Sequence, residues 1–225
     1  MVILGIDTSS KMMCIAAQDG SGKVYELRLE AGRKLSTILA PNIKRILDSL
    51  KLVLKDVDYF ACATGPGSFT GIRIGLSTVK ALAFAAGKPV IGISSLDILA
   101  MNASGLKGMI CPVVDAKRGL IYYSLYRAKP SLKRLISYRL GSPDEMLKAK
   151  LKAPCVFLGD GLKLYKDDIS AGVRGAEFLD GEFSYPRPGN IIALARKRVE
   201  TKQTVSSFKL EAIYLYPKEC QIRKA

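Results

Sequence analysis

The stretch from Thr64 to Gly87, TGPGSFTGIRIGLSTVKALAFAAG, constrains this chain more than any other. The apolar run Val57 to Ala63 reads as a buried strand, and Gly65-Pro66-Gly67 turns the chain directly after it. Ser68 or Thr70 can accept a bond from a free N–H in the first turn of a following helix. The helical pattern runs from residue 70 to 86, and Gly87 suits its C-cap. Arg73 and Lys80 are the charges in these turns; seven apart, they share one face, while the rest of the cylinder is apolar or small. Such a helix is either buried nearly all round or covered by another protein. Gly67, Gly71 and Gly75 recur every four residues, which strips one ridge of side chains and lets a second backbone approach closely.

A chain of 225 residues can hold one large domain or two small ones with a proper core. Histidine is absent. That excludes Ser-His-Asp and Cys-His nucleophile pairs and any site needing an imidazole ligand. Cys14, Cys62, Cys111, Cys155 and Cys220 are odd in number and contain no CxxC, so neither a disulfide framework nor a zinc ribbon is expected. A cytoplasmic protein with buried thiols fits that pattern. No apolar stretch reads as long enough to span a bilayer, and the N-terminus MVILGIDTSS has no basic region ahead of its apolar run. The net charge of +15 is uneven: residues 1–110 carry 13 Lys+Arg against 8 Asp+Glu, residues 111–225 carry 22 against 12. A polyanion such as RNA is a compatible partner. No Lys/Arg block or aromatic-interleaved motif stands out, so a solvated basic surface is the simpler expectation.

In chain order, Val2 to Ile6, Met12 to Gln18 and Val24 to Leu29 read as three antiparallel strands, the last two joined by a turn at 19–22. Leu35, Leu39, Ile43, Ile46, Leu47 and Leu50 fall at helical spacing, with Ser36 as cap and a bend at Pro41. The strand 57–63, the helix 70–86, a strand 89–93 and a helix 94–102 follow. The pattern then restarts with a strand at 109–114 ending in Asp115, as the first ended in Asp7. A second run, 120–126, a third, 132–138, a helix 143–150, a strand 155–158 and a helix 189–200 complete a shorter copy, with residues 185–189 as a surface loop. The expected division is 1–106 and 107–225, an α/β chain of two related lobes with the second reduced.

An Asp at the end of the first strand of each lobe, followed by hydroxyls or glycine, is how a two-lobed fold builds a cleft for a phosphate and its magnesium ion. Asp7 with Thr8, Ser9 and Ser10 is the first candidate, Asp115 the second, and Gly159-Asp160-Gly161 the third. Gly65-Pro66-Gly67 lacks the spacing and lysine of a Walker loop.

GIDTSS at 5–10, GPGSFTGIRIGLSTVKALA at 65–83, DAKRGLIYY at 115–123, GDG at 159–161 and LEAIYLYPK at 210–218 together resemble the bacterial TsaB family, also called YeaZ. The resemblance covers essentially the whole chain. It implies the actin-like ATPase (ASKHA, ribonuclease H-like) fold with mixed sheets, in a reduced two-lobe form, and a role in making threonylcarbamoyladenosine (t6A) in tRNA. It further implies that this subunit is not the catalyst but the paralogue and partner of a TsaD-type subunit, which holds its metal through an HxxxH pair on its first helix. A TsaE-type ATPase joins them. Here that helix opens Leu35-Ser36-Thr37, where many members have His-Ser-Glu, and no Gly-Gly pair offers an adenine-binding turn. The family contact packs helices 35–50 and 70–86 against the same pair in the partner. That points to Leu35, Leu39, Ile43, Ile46, Gly71, Arg73, Ile74, Gly75, Thr78 and Lys80 as interface, with a homodimer in isolation. The rival is an actin-like ATPase or phosphotransferase using Asp7 and Asp115 with ATP and magnesium. Direct contact with tRNA is a third expectation.

Overall fold

The computed structural model describes residues 1–149, 151 and 154–217. Lys150, Lys218 and Cys220, which end an expected helix, a quoted motif and the cysteine set, lie outside the described residues. By contacts the chain divides into two units: Met1–Ile98 with Pro186–Ala212, and Leu99–Tyr185 with the segment that begins at Ile213.

In the first unit, β1 (Ile3–Asp7), β2 (Met12–Gln18) and β3 (Val24–Glu30) form an antiparallel meander: β1 and β2 are continuous apolar runs, buried on both faces, and the Asp19 turn leads into the alternating, more exposed β3. Asp19 Oδ1 accepts from the backbone N–H of Ser21 and of Lys23, closing the hairpin. Next come α1 (Leu35–Ser49), β4 (Tyr59–Ala63), α2 (Phe69–Ala86) and β5 (Val90–Ile93). The sheet order is β3-β2-β1-β4-β5, with β1, β4 and β5 parallel. One face, through Leu4, Ile6, Met13 and Ile15, packs on α1 and α2, which supply Leu39, Ile43, Ile72 and Val79. Ser68 caps α2 by accepting from the Gly71 N–H, and Gly87 closes it with a φ of 65°. Ser36 does not cap α1: the chain enters that helix from a 3-10 turn at Gly32–Lys34, with Lys34 at the N-cap position and no side-chain cap. The helix α2 is, contrary to the sequence expectation, long and apolar enough by length and composition to cross a bilayer. Its inner face is instead part of the core.

A short helix, α3 (Ser95–Ala100), leads into the second unit. There β6 (Met109–Lys117), β7 (Leu120–Tyr123), β8 (Tyr126–Arg127), β9 (Lys133–Arg134) and β10 (Arg139–Gly141) precede α4 (Pro143–Leu147) and β11 (Cys155–Leu158). The helix α5 (Leu162–Gly172) and β12 (Ala176–Leu179) follow. The order β10-β7-β6-β11-β12 repeats the first sheet strand for strand. Two expectations change. The third strand of the copy is 139–141, since β10 pairs with β7, whereas 133–134 forms a side hairpin with β8. The pair α5 and β12 was not anticipated; α5 is mostly polar and buries only Leu162 and Ile169.

The last helix, α6 (Pro188–Glu200), forms where the periodicity predicts it but not in the lobe expected. It packs in the first unit, where Ile191, Ile192 and Ala195 cover the second face of the sheet against Ile3, Ala16, Ala61 and Ile91. Gly5 makes room: a Cβ there would meet Ile191 Cγ2 at 2.5 Å. Arg198 donates to the Gly92 carbonyl and pairs with Asp97 at 3.5 Å, and Asn190 Nδ2 donates to Ile98 O at 3.1 Å. The expected surface loop is the way in to this helix, with Pro186 and Pro188 buried.

Candidate functional site: a buried strand end and an uncharged helix face

β1 delivers Asp7, Thr8 and Ser9 into the interior; Asp7 is 1% exposed. Ser9 donates twice to Asp7 Oδ1, from its backbone N at 2.8 Å and its Oγ at 2.6 Å. Asp7 Oδ2 is buried with no hydrogen-bond partner among the described residues. Burial pushes the carboxyl above the ordinary range, against the lowering effect of both Ser9 bonds. Thr8 Oγ1 donates to Gly71 O at 2.7 Å, and the Ser68 N–H donates to Ser9 O at 2.7 Å.

These contacts identify what the glycine ridge is for. A Cβ on Gly67 would lie 2.3 Å from Ser9 O, one on Gly71 2.1 Å from Thr8 O, and one on Gly75 2.3 Å from Thr8 Oγ1. The backbone that approaches α2 closely is this chain's own, at the end of β1. Gly71 and Gly75, read from the sequence as part of a surface for another subunit, are buried under this strand end. Leu35, Leu39, Ile43 and Ile46 are likewise buried against their own sheet. They hold α1 in place.

The outer face of α2 is a different set. Phe69, Thr70, Arg73, Ser77, Ala81, Phe84 and Ala85 are exposed, and Ile74, Thr78 and Lys80 half-buried. Phe69 is 43% and Phe84 66% exposed. Arg73 lies over the Phe69 ring, 3.7 Å from its centroid, and Lys80 Nζ donates to Leu210 O at 3.1 Å. Both cations are thus engaged inside the chain, and a nearly uncharged stripe remains on the surface. Phe84 meets Phe208 edge-on at 5.5 Å. Phe69, Ser77 and Ala81 are not among the expected interface residues; with Arg73 they recur every four residues, and that spacing is the signal that places them on one face.

In the second unit, Asp115 and Asp160 come together. Asp160 Oδ1 accepts from the Asp115 N–H at 3.1 Å, and Asp115 is paired with Lys117. Burial, with Asp115 nearby, raises the Asp160 carboxyl. Gly159, with φ 121°, packs where a Cβ would sit 2.1 Å from Val113 O, and the Gly161 N–H donates to that same oxygen at 3.0 Å. The Gly-Asp-Gly turn is a tight seam against β6. Within each unit the donors do not fit a magnesium ion held by protein side chains. Asp7 has one oxygen committed to Ser9, Asp115 is neutralised by Lys117, and among the described residues no three His, Cys, Asp or Glu side chains gather into a metal-binding group.

A sequence comparison decides the family. The chain is 32% identical over 203 residues to the tRNA threonylcarbamoyladenosine biosynthesis protein TsaB of Bacillus subtilis (strain 168), covering 88% of each chain. The chain belongs to the TsaB family. The TsaB of Escherichia coli (strain K12) is 28% identical over 227 residues, 96% of this chain and 94% of that one. The broader family described as "TsaD: tRNA N6-adenosine threonylcarbamoyltransferase" matches residues 29–217. Among solved structures, YeaZ from Pseudomonas aeruginosa superposes with a TM-score of 0.84 at 25% identity, over 95% of this chain and 99% of that one. An activator of 2-hydroxyisocaproyl-CoA dehydratase from Clostridium difficile, solved with bound ADPNP, reaches a TM-score of 0.50 at 8% identity. That likeness speaks for the fold alone. The TsaB-family chain thus has the actin-like, ribonuclease H-like architecture expected of it.

Proposed function

We propose that this TsaB-family chain is a non-catalytic subunit of t6A formation in tRNA, which dimerises with a TsaD-type catalytic paralogue through the outer face of α2 and the adjoining surface of α1. The observation that carries the reading is the exposed stripe Phe69–Ser77–Ala81–Phe84, whose one exposed charge, Arg73, lies across an aromatic ring. A soluble helix that leaves such a stripe on the surface is shaped for another protein. The absence of histidine supports the non-catalytic part, since the metal-bearing pair that the resemblance ascribes to the paralogue has no counterpart here. The phosphotransferase reading finds less support: Asp7 is buried and inclined to protonate, a poor arrangement for orienting metal-bound water. In isolation the same stripe would pair with itself, and a TsaE-type ATPase and tRNA would meet the assembly in the cytoplasm.

The test is sedimentation of the chain with its TsaD-type paralogue, alongside t6A formation by the mixture. Ser77→Arg with Ala81→Arg places two charges on exposed positions, leaves stability within about 0.5 kcal/mol of the parent, and abolishes both assembly and modification. Undiminished assembly by that variant would sink the proposed interface.

A further inference from the structure

Between Asp115 and Asp144 the chain carries Lys117, Arg118, Arg127, Lys129, Lys133, Arg134 and Arg139 and no carboxylate. All of these cations are exposed. Lys117 is held by Asp115 at one end of β6, whereas Arg127 pairs with Met109 at the other end. The eight residue steps between them span about 26 Å of strand. The second group is concentrated on the β8–β9 hairpin. Its register sets Arg127 directly opposite Lys133 and Tyr126 opposite Arg134, with Lys129 in the connection between the strands. Like charges directly across a strand pair are destabilising. No ion pair formed among the described residues relieves them. Arg134 lies over the Tyr138 ring, 4.1 Å from its centroid, and Leu135 beside it is 44% exposed.

Charges on an edge strand have an ordinary use, since they discourage pairing with a foreign strand. One or two suffice for that, because a two-residue strand offers little edge to guard. Placing cations face to face, with a further one in the loop and no carboxylate nearby in sequence, creates a local positive potential that an external polyanion offsets. We propose that the β8–β9 hairpin, through Arg127, Lys129, Lys133 and Arg134, is a contact surface for RNA phosphates. The identity of the RNA as tRNA rests on the reading that this chain serves t6A formation. Phosphates favour such a surface because their neutralisation releases condensed counterions. The Arg134–Tyr138 plane next to it offers a face on which an unpaired base can stack. An acidic protein surface is the competing partner, and it offers neither.

The experiment measures fluorescence anisotropy of a labelled tRNA transcript with the full chain, alone and mixed with its TsaD-type paralogue, between 50 and 200 mM salt. The variant Arg127→Gln/Lys129→Gln/Lys133→Gln alters residues with no ion pair among the described residues, so thermal unfolding should match the parent or shift slightly upward as the facing charges are removed. It is expected to weaken tRNA binding about tenfold or more and to lower the log–log salt slope by about 2 to 3. Arg196→Gln/Lys197→Gln/Lys202→Gln removes the same charge from the other unit and should change affinity less than about threefold. Arg127→Lys/Lys133→Arg should keep binding near the parent. Equal losses in both triple variants, or no tRNA binding by the parent mixture, overturn the proposal. Loss of assembly with unchanged tRNA affinity overturns it in favour of an acidic protein partner. If the parent assembles and supports modification while the hairpin variant binds tRNA normally, the hairpin alone is refuted. If the parent neither assembles nor supports modification, the t6A reading fails whatever the hairpin binds.

Discussion

At the scale of single residues, the tension in this protein sits at Asp7. One carboxylate oxygen accepts two bonds from Ser9 and the other, buried, accepts none. A carboxyl held above its unfolded value of about 3.9 binds more protons folded than unfolded between the two values. Its share of stability is therefore full below that window and falls as pH rises through it. Asp160, raised by burial too, acts in the same direction. In urea unfolding at a series of pH values, the stability of the parent relative to Asp7→Asn should decline as pH rises from about 4, because an amide has no charge to desolvate. Identical pH profiles for the two proteins would mean the burial of Asp7 carries no electrostatic cost. The string GIDTSS was legible as a strand end, but not that its acid is sealed and half-unsatisfied. Burial depends on what α2 brings over it.

At the scale of elements, α2 has two faces with separate work. The inner glycine ridge lets the Thr8–Ser9 backbone lie against the helix, and the Thr8 Oγ1 bond to Gly71 O fastens it. Gly71→Ala puts a methyl group 2.1 Å from Thr8 O, which is backbone and cannot step aside. Overpacking of this kind costs about 1–3 kcal/mol. The urea midpoint should fall accordingly, whether or not a partner is present; an unchanged midpoint would show that the strand end yields. The sequence displayed the ridge plainly, as glycines four apart, but not its occupant. An intramolecular and an intermolecular backbone leave the same pattern. The missed helix α5 illustrates the opposite limit. Leu162, Tyr165 and Ile169 stand at helical spacing, yet short length and abundant charge made the stripe too thin to register beside the glycines that flank it.

At the scale of the whole molecule, the return of α6 to the first unit is the organising event. Ile192 is 1% exposed beneath the first sheet, and its truncation to Ala should cost about 2–5 kcal/mol. Hydrogen exchange localises the effect: protection should drop in the amides of β1, β4 and β5. A loss confined to β6 and β11 would contradict the packing described. The first sheet is thus covered on one face by helices encoded within it and on the other by a helix encoded some ninety residues later. Neither a lobe boundary at 106 nor the internal repeat announces this, because a helix with one apolar stripe fits either sheet equally well.

The sequence by itself determined the five strands of the first sheet, the capped central helix and the restart of the pattern at 109, since apolar runs, helical periodicity, Ser68 and Gly87 act through neighbours a few residues apart. It also determined what chemistry is out of reach, because a side chain that is absent cannot be supplied by folding. Only the tertiary structure decided which face of α2 is spent inside, which sheet receives α6, and that Arg127 confronts Lys133 across a hairpin. Each of those is a choice among partners distant in the chain, and local composition is silent about such choices.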